Sequence, residues 1–329
     1  YSDWVKALGE SGCNTIGKCL KSPANIYRNT DPADASFYSD CADLPYVLRA
    51  YFAWKNGLPF TYTKSVSPVG SSGDIRYSKN GNHPSSKNSV LNVSGQNFPN
   101  FKSLIRSVTG DVSSAMYRIA PEYDSETLPS DMYSVDIKVG ALRPGSVIYD
   151  PNGHVAVIYA IEKDGRLKFM DAHPDNSLTR GTYGEKFARS RPAAGAGFKN
   201  WRPVKLVGFQ NASGVLVGGR IVSAKNSQIP DYSTKQFYGT HPAEGSWSKG
   251  KFILSGTELP YYDYVRAVMS GGNLRFQPLE EVKNMVDALC ADLQDRVAAV
   301  NNAVAAGIQN KEHPSSLPNN IYGTDGEWE

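Results

Sequence analysis

Long basic runs, long apolar runs and clustered metal-binding motifs are all missing from this chain of 329 residues. Lys and Arg number 35 against 32 Asp and Glu, a net charge of +3. Nowhere do about five basic residues follow one another, which argues against nucleic acid or an anionic membrane as main partner. No apolar stretch approaches the roughly 18 residues needed for a membrane span. His-Glu-x-x-His, Cys-x-x-Cys and phosphate-loop patterns are absent, so neither a metal nor a nucleotide cofactor is supported. No repeat of about 20 to 50 residues points to a solenoid. With 40% hydrophobic and 20% charged residues, the composition excludes wholesale disorder and suits a globular protein of two domains, or one large domain with insertions.

Cysteine is scarce, at four residues. Cys13 and Cys19 enclose the polar loop Asn14-Thr15-Ile16-Gly17-Lys18, a spacing that suits a disulfide and an oxidising compartment. Abundant Tyr, Gly, Asn and Ser agree with export, and the chain is expected to be secreted or periplasmic, in a bacterium. Because it starts at Tyr1, any targeting segment has been removed or lies outside it. Cys41 and Cys290 then need separate explanations.

Residues 61–110 are rich in Ser, Gly, Asn and Pro, as in Ser67-Pro68-Val69-Gly70-Ser71-Ser72-Gly73, and read as a loop-rich insertion. Short β-branched runs at 146–149, 154–161 and 167–172, bounded by Gly, Pro, Asn or Asp, predict a sheet. From about 279 to 311 the pattern is helical, opening on Pro278 and Glu280-Glu281. Its stripe of Val282, Val286, Leu289, Leu293, Val297, Val300, Val304 and Ile308 has nearly the period of a straight helix. Cys290 lies beside that stripe and is expected to be a buried structural thiol.

The segment 39–60 is the most informative. Leu44, Val47, Leu48, Tyr51 and Phe52 form a one-sided apolar stripe, and Asn56-Gly57 before Pro59 is a helix stop. Pro45 is tolerated only near the start of such a helix. A start at Ala42 puts Cys41 at the N-cap, where the helix dipole and unpaired N–H groups favour a thiolate and offer donors to an oxyanion. Asp40 and Asp43 oppose this unless they point away. Four of the five histidines (His83, His173, His241 and His313) precede proline, which favours loops. His154 instead opens an apolar strand. A hairpin closing near Asp164-Gly165 puts His154 on one face with Asp171 and His173. A carboxylate-oriented histidine is what a thiol nucleophile requires.

These residues resemble the papain-like cysteine peptidases and amidases, and within them the NlpC-type cell-wall peptidases and the CHAP amidases. The family's Tyr, short loop and Asp-Cys-Ser-Gly are similar to Tyr27-Arg28-Asn29-Thr30-Asp31-Pro32 followed by Asp40-Cys41-Ala42-Asp43. Its Pro-Gly-Asp strand and Gly-His-Val-Gly/Ala are similar to Pro144-Gly145-Ser146-Val147 and Gly153-His154-Val155-Ala156. The third polar residue falls on Asp171, with His173 in reserve. The resemblance covers about a fifth of the chain. It implies Cys41 as nucleophile, His154 as base, Asp171 as orienter and Tyr27 near the oxyanion. Ala42-Asp43 in place of Ser-Gly, and Ser146 in place of Asp, put the substrate class in question. Gly57-Leu58-Pro59 is also similar to the Gly-Ile-Pro that ends the cysteine helix of transglutaminase-like proteins, whose triad is again Cys-His-Asp.

The expected architecture is α+β: a papain-like catalytic domain over residues 1–225, with the cysteine helix packed on an antiparallel sheet, and a largely helical accessory region over 226–329. The expected activity is thiol-dependent hydrolysis of an amide, with a peptide or peptidoglycan-like substrate and no cofactor. The alternatives are acyl transfer to an amine, or an inactive binding protein on the same fold.

Overall fold

In the computed structural model, residues 1–312 are described, apart from Asp34, 71–72, 91–100, Gly214, Asn273 and 275–276. The helices are α1 (Ser2–Glu10), α2 (Ile16–Lys21), α3 (Asp43–Lys55), α4 (Phe101–Asp111), α5 (Lys235–Tyr238), α6 (Tyr261–Met269) and α7 (Pro278–Ala305). The strands are β1 (Phe60–Pro68), β2 (Asn82–Val90), β3 (Met132–Ser134), β4 (Val147–Tyr149), β5 (Val155–Ile161), β6 (Leu167–Ala172), β7 (Leu178–Thr182), β8 (Gly197–Trp201), β9 (Val204–Ala212), β10 (Val215–Ser223), β11 (His241–Ala243), β12 (Ser246–Leu254) and β13 (Thr257–Leu259). The fold is mixed α+β with antiparallel sheets. Its centre is a six-stranded sheet in the order β3-β8-β4-β5-β6-β7.

The three strands expected from β-branched runs are β4, β5 and β6. They are buried on both faces and read as almost continuous apolar runs. Val147, Tyr149, Val155, Val157, Met170 and Ala172 face one apolar cluster with α1 and α3. Ile148, Ala156, Ile158, Phe169 and Phe198 face a second cluster with Phe252, Tyr261, Tyr264 and Val265. Residues 229–269 therefore cover the sheet's second face, and the line drawn at residue 225 does not divide the core. The region beyond it also differs from the helical expectation, because β11, β12 and β13 form a three-stranded sheet there.

Helix α3 is buried nearly all round, not along one stripe: Tyr46, Ala50 and Ala53 are covered as fully as Leu44 and Leu48. It begins one residue later than expected, with Ala42 as N-cap and Cys41 just outside. The described residues of the 61–110 segment are likewise more than a loop insertion. They hold the β1–β2 hairpin and α4, whose Leu104, Ile105 and Val108 enter the first cluster with Tyr62. Ser and Asn are frequent there because β2 is half exposed.

Two cysteine expectations part ways. Cys13 and Cys19 form a disulfide. Cys290 is exposed, not buried, because the apolar stripe of α7 from Val282 to Val304 faces solvent. Among the described residues no helix is long and apolar enough to cross a membrane. Residues 319–329, polar in sequence, lie outside the described residues.

Candidate active site

Cys41, His154 and Asp171 line one cavity of about 910 Å³, together with His173, Thr179 and Phe187. The pairing of strands places them. Near the turn, β5 and β6 pair Ile161 with Leu167 and Ala160 with Lys168; past Tyr159 the register advances by one, pairing Ile158 with Phe169 and Val157 with Met170. Tyr159 is thus the extra residue of a β-bulge. Without the bulge the register of the turn would run on through Tyr159 and put Asp171 opposite Val157, away from His154. With it, Asp171 shares a face with Ala156 and lies diagonally across from His154, within reach of a long side chain. Tyr159 packs against α1 at Gly9, where an added Cβ would meet the Tyr159 ring at 2.5 Å or less.

His154 Nε2 lies 2.7 Å from Asp171 Oδ2. Burial alone would push the His154 pKa down, but hydrogen bonds and charge from Asp171 and Cys41 outweigh it and raise the pKa to about 10. Burial works against the Asp171 carboxylate too, yet His154 and the Thr179 hydroxyl hold it below the ordinary range. Cys41 is partly exposed. Its Sγ makes a long contact of 3.9 Å to the Gly153 carbonyl, next to the histidine, and interacts with the His154 ring. The histidine side chain is 37% exposed and opens to the cavity.

The two acids flanking the sulfur are handled differently. Asp40 accepts from the Asp43 N–H at 2.9 Å and also from Ala42 N–H, while its own carbonyl accepts from Leu44 N–H at 3.1 Å. It is a helix cap. Asp43 is 2% exposed, with Oδ1 buried and unpartnered. Burial, reinforced by repulsion from Asp40, raises its pKa to about 9, so at neutral pH it sets no charge against the thiol. This arrangement corrects the expected oxyanion site. The N–H groups of Ala42 and Asp43 are taken by Asp40, leaving that of Cys41 itself, which donates to no described protein group.

Tyr27 is a second correction. Its hydroxyl meets Asn56 and its ring packs on Trp4 and Phe52, at the C-terminal end of α3, roughly 20 Å of helix from Cys41. The tyrosine that lines the cavity is Tyr38, which donates to the Pro174 carbonyl at 2.7 Å. His173 is not the orienter of His154. The two rings stack with centroids 6.1 Å apart, and His173 bonds Thr179. Sequence reasoning missed Thr179. Its signal lay in the strand pairing, since β7 sets it directly opposite Asp171. Among the described residues no group of three His, Cys, Asp or Glu side chains is placed to hold a metal. No family model matches the chain, and no curated protein or solved structure matches it either.

Proposed function

We propose that the protein is a thiol hydrolase of papain-like build, a peptidase or amidase, with Cys41 as nucleophile, His154 as acid and base, and Asp171 as orienter. The observation that carries this reading is the 2.7 Å His154–Asp171 hydrogen bond beside a partly exposed thiol in one cavity. With Nε2 committed to Asp171, His154 turns Nδ1 to the cleft. The ring, charged before substrate arrives, holds the proton that Cys41 gives up, and Sγ attacks the amide carbonyl carbon. The carbonyl oxygen becomes an oxyanion facing the Cys41 N–H. His154 then gives its proton to the departing amine nitrogen as the C–N bond breaks, leaving a thioester. Water, deprotonated by the same ring, attacks that thioester; the C–S bond breaks and the thiol is restored. Cell-wall peptide is the first substrate to try, because the Cys13–Cys19 disulfide suits an exported protein.

The test uses the second free thiol as an internal standard. Iodoacetamide at pH 6, followed by peptide-resolved mass spectrometry, should label Cys41 faster than exposed Cys290, and His154→Ala should abolish that preference. Purified cell wall and casein, each with a labelled primary amine, then separate release of peptide from incorporation of amine. Labelling of Cys41 no faster than Cys290, with neither release nor incorporation, would leave a binding protein and refute the proposal.

A further inference from the structure

The Asp171 carboxylate serves more than one partner. Oδ2 takes the 2.7 Å bond with His154, while Oδ1 accepts a 2.7 Å bond from the Thr179 hydroxyl. His173 Nε2 lies 3.0 Å from that same hydroxyl oxygen and 3.8 Å from Asp171 Oδ2. All four residues line the cavity. The chain of bonds has only one polarity. An ionised carboxylate accepts and never donates, so the Thr179 proton must point at Oδ1. A hydroxyl has one proton, so towards His173 it can only accept, and Nε2 of His173 must carry a hydrogen. Both ends of the carboxylate are therefore fixed by donors from different strands, and its broad terminal torsion is held at one angle.

We propose that Thr179 is a positioning residue of this site, its hydroxyl aimed by His173 so that it fixes the Asp171 carboxylate and, through it, the ring of His154. The inference rests on the reading of Cys41 and His154 as nucleophile and base. The cross-strand pairing of Asp171 with Thr179 makes the contact a property of the sheet, independent of any loop.

Four proteins are compared with the wild type at pH 6: Thr179→Ser, Thr179→Ala, Thr179→Val and His154→Ala. The readout is the rate of Cys41 alkylation by iodoacetamide, divided by that of Cys290 in the same sample. Losing a hydrogen bond to a charged group should lower the ratio about tenfold in Thr179→Val and Thr179→Ala, and Thr179→Ser should restore it. Valine keeps the shape of threonine. The Ser and Ala proteins differ from each other by the hydroxyl alone, so a fall due to lost packing appears in both. Wild-type ratios in Thr179→Val and Thr179→Ala, or equal falls in Ser and Ala, overturn the inference while a slow His154→Ala leaves the catalytic reading standing. A wild-type ratio in His154→Ala overturns that reading itself.

Discussion

Replacing Asp43 by Asn should leave stability unchanged near pH 4 and raise it progressively towards pH 9. The carboxyl is 2% exposed, has an unpartnered buried oxygen and has its pKa raised to about 9. Below the ordinary aspartate value of 3.8 it is protonated in both folded and unfolded chains, and it contributes no pH dependence there. Between 3.8 and about 9 the unfolded chain has released a proton that the folded chain still holds. Stability therefore falls as pH rises through that window, and levels off above it. At about 1.4 kcal/mol for each pH unit, the four units up to pH 8 set a ceiling of about 6 kcal/mol. Water entry and local relaxation around an ionised group reduce this, so a gain of about 2 kcal/mol or more is expected for Asp43→Asn at pH 8. Asn is isosteric, keeps a donor and cannot ionise. Urea unfolding of both proteins at pH 4, 6 and 8, followed by far-UV circular dichroism, measures the difference directly. A difference that stays flat with pH, or that favours the wild type at pH 8, would refute the reasoning that Asp43 is neutral in the folded protein.

Two further predictions concern the frame around the site. Reducing Cys13–Cys19, which closes a loop with a sequence separation of 6, should cost about 2 kcal/mol by loop entropy. It shows as a lower urea midpoint with dithiothreitol, and an unmoved midpoint would contradict it. Gly165 has φ +82°, and an added Cβ would sit 2.0 Å from the Arg266 carbonyl oxygen. Gly165→Ala should therefore cost more than about 2 kcal/mol in thermal unfolding, whereas a wild-type melting curve would show that α6 can shift freely.

Much of the site could be read from residue order, because the needed signals were local. Cys41 stands before a proline-tolerant helix start, and His154 opens a strand that returns through a hairpin to Asp171, although the bulge that sets their common face has no local signal. What could not be read depends on contacts between distant segments. Tyr27 fits a motif by spacing, yet the helix it packs on carries it to the wrong end. The helix-start N–H groups looked free until the Asp40 side chain folded back on them. Cys290 looked buried because an apolar stripe usually faces a core, but nothing in periodicity says whether a partner surface is present. Composition misjudged 61–110 for a related reason: Ser and Asn on the outer side of a hairpin resemble those of a loop. The helices and strands from 226 to 269 pack on the second face of the sheet, a long-range match invisible to local pattern.

The bulge at Tyr159 makes the proposed chemistry depend on a parity. A relative in which the register of the turn ran on unbroken to the end of the hairpin would still carry Cys, His and Asp in the same order. A motif search would score it as intact, while its imidazole and carboxylate stood on opposite sides of the sheet. Whether the β5 residue opposite the aspartate stands an even or an odd number of places from the histidine is therefore a better guide to which relatives share this arrangement than the identity of the three residues themselves.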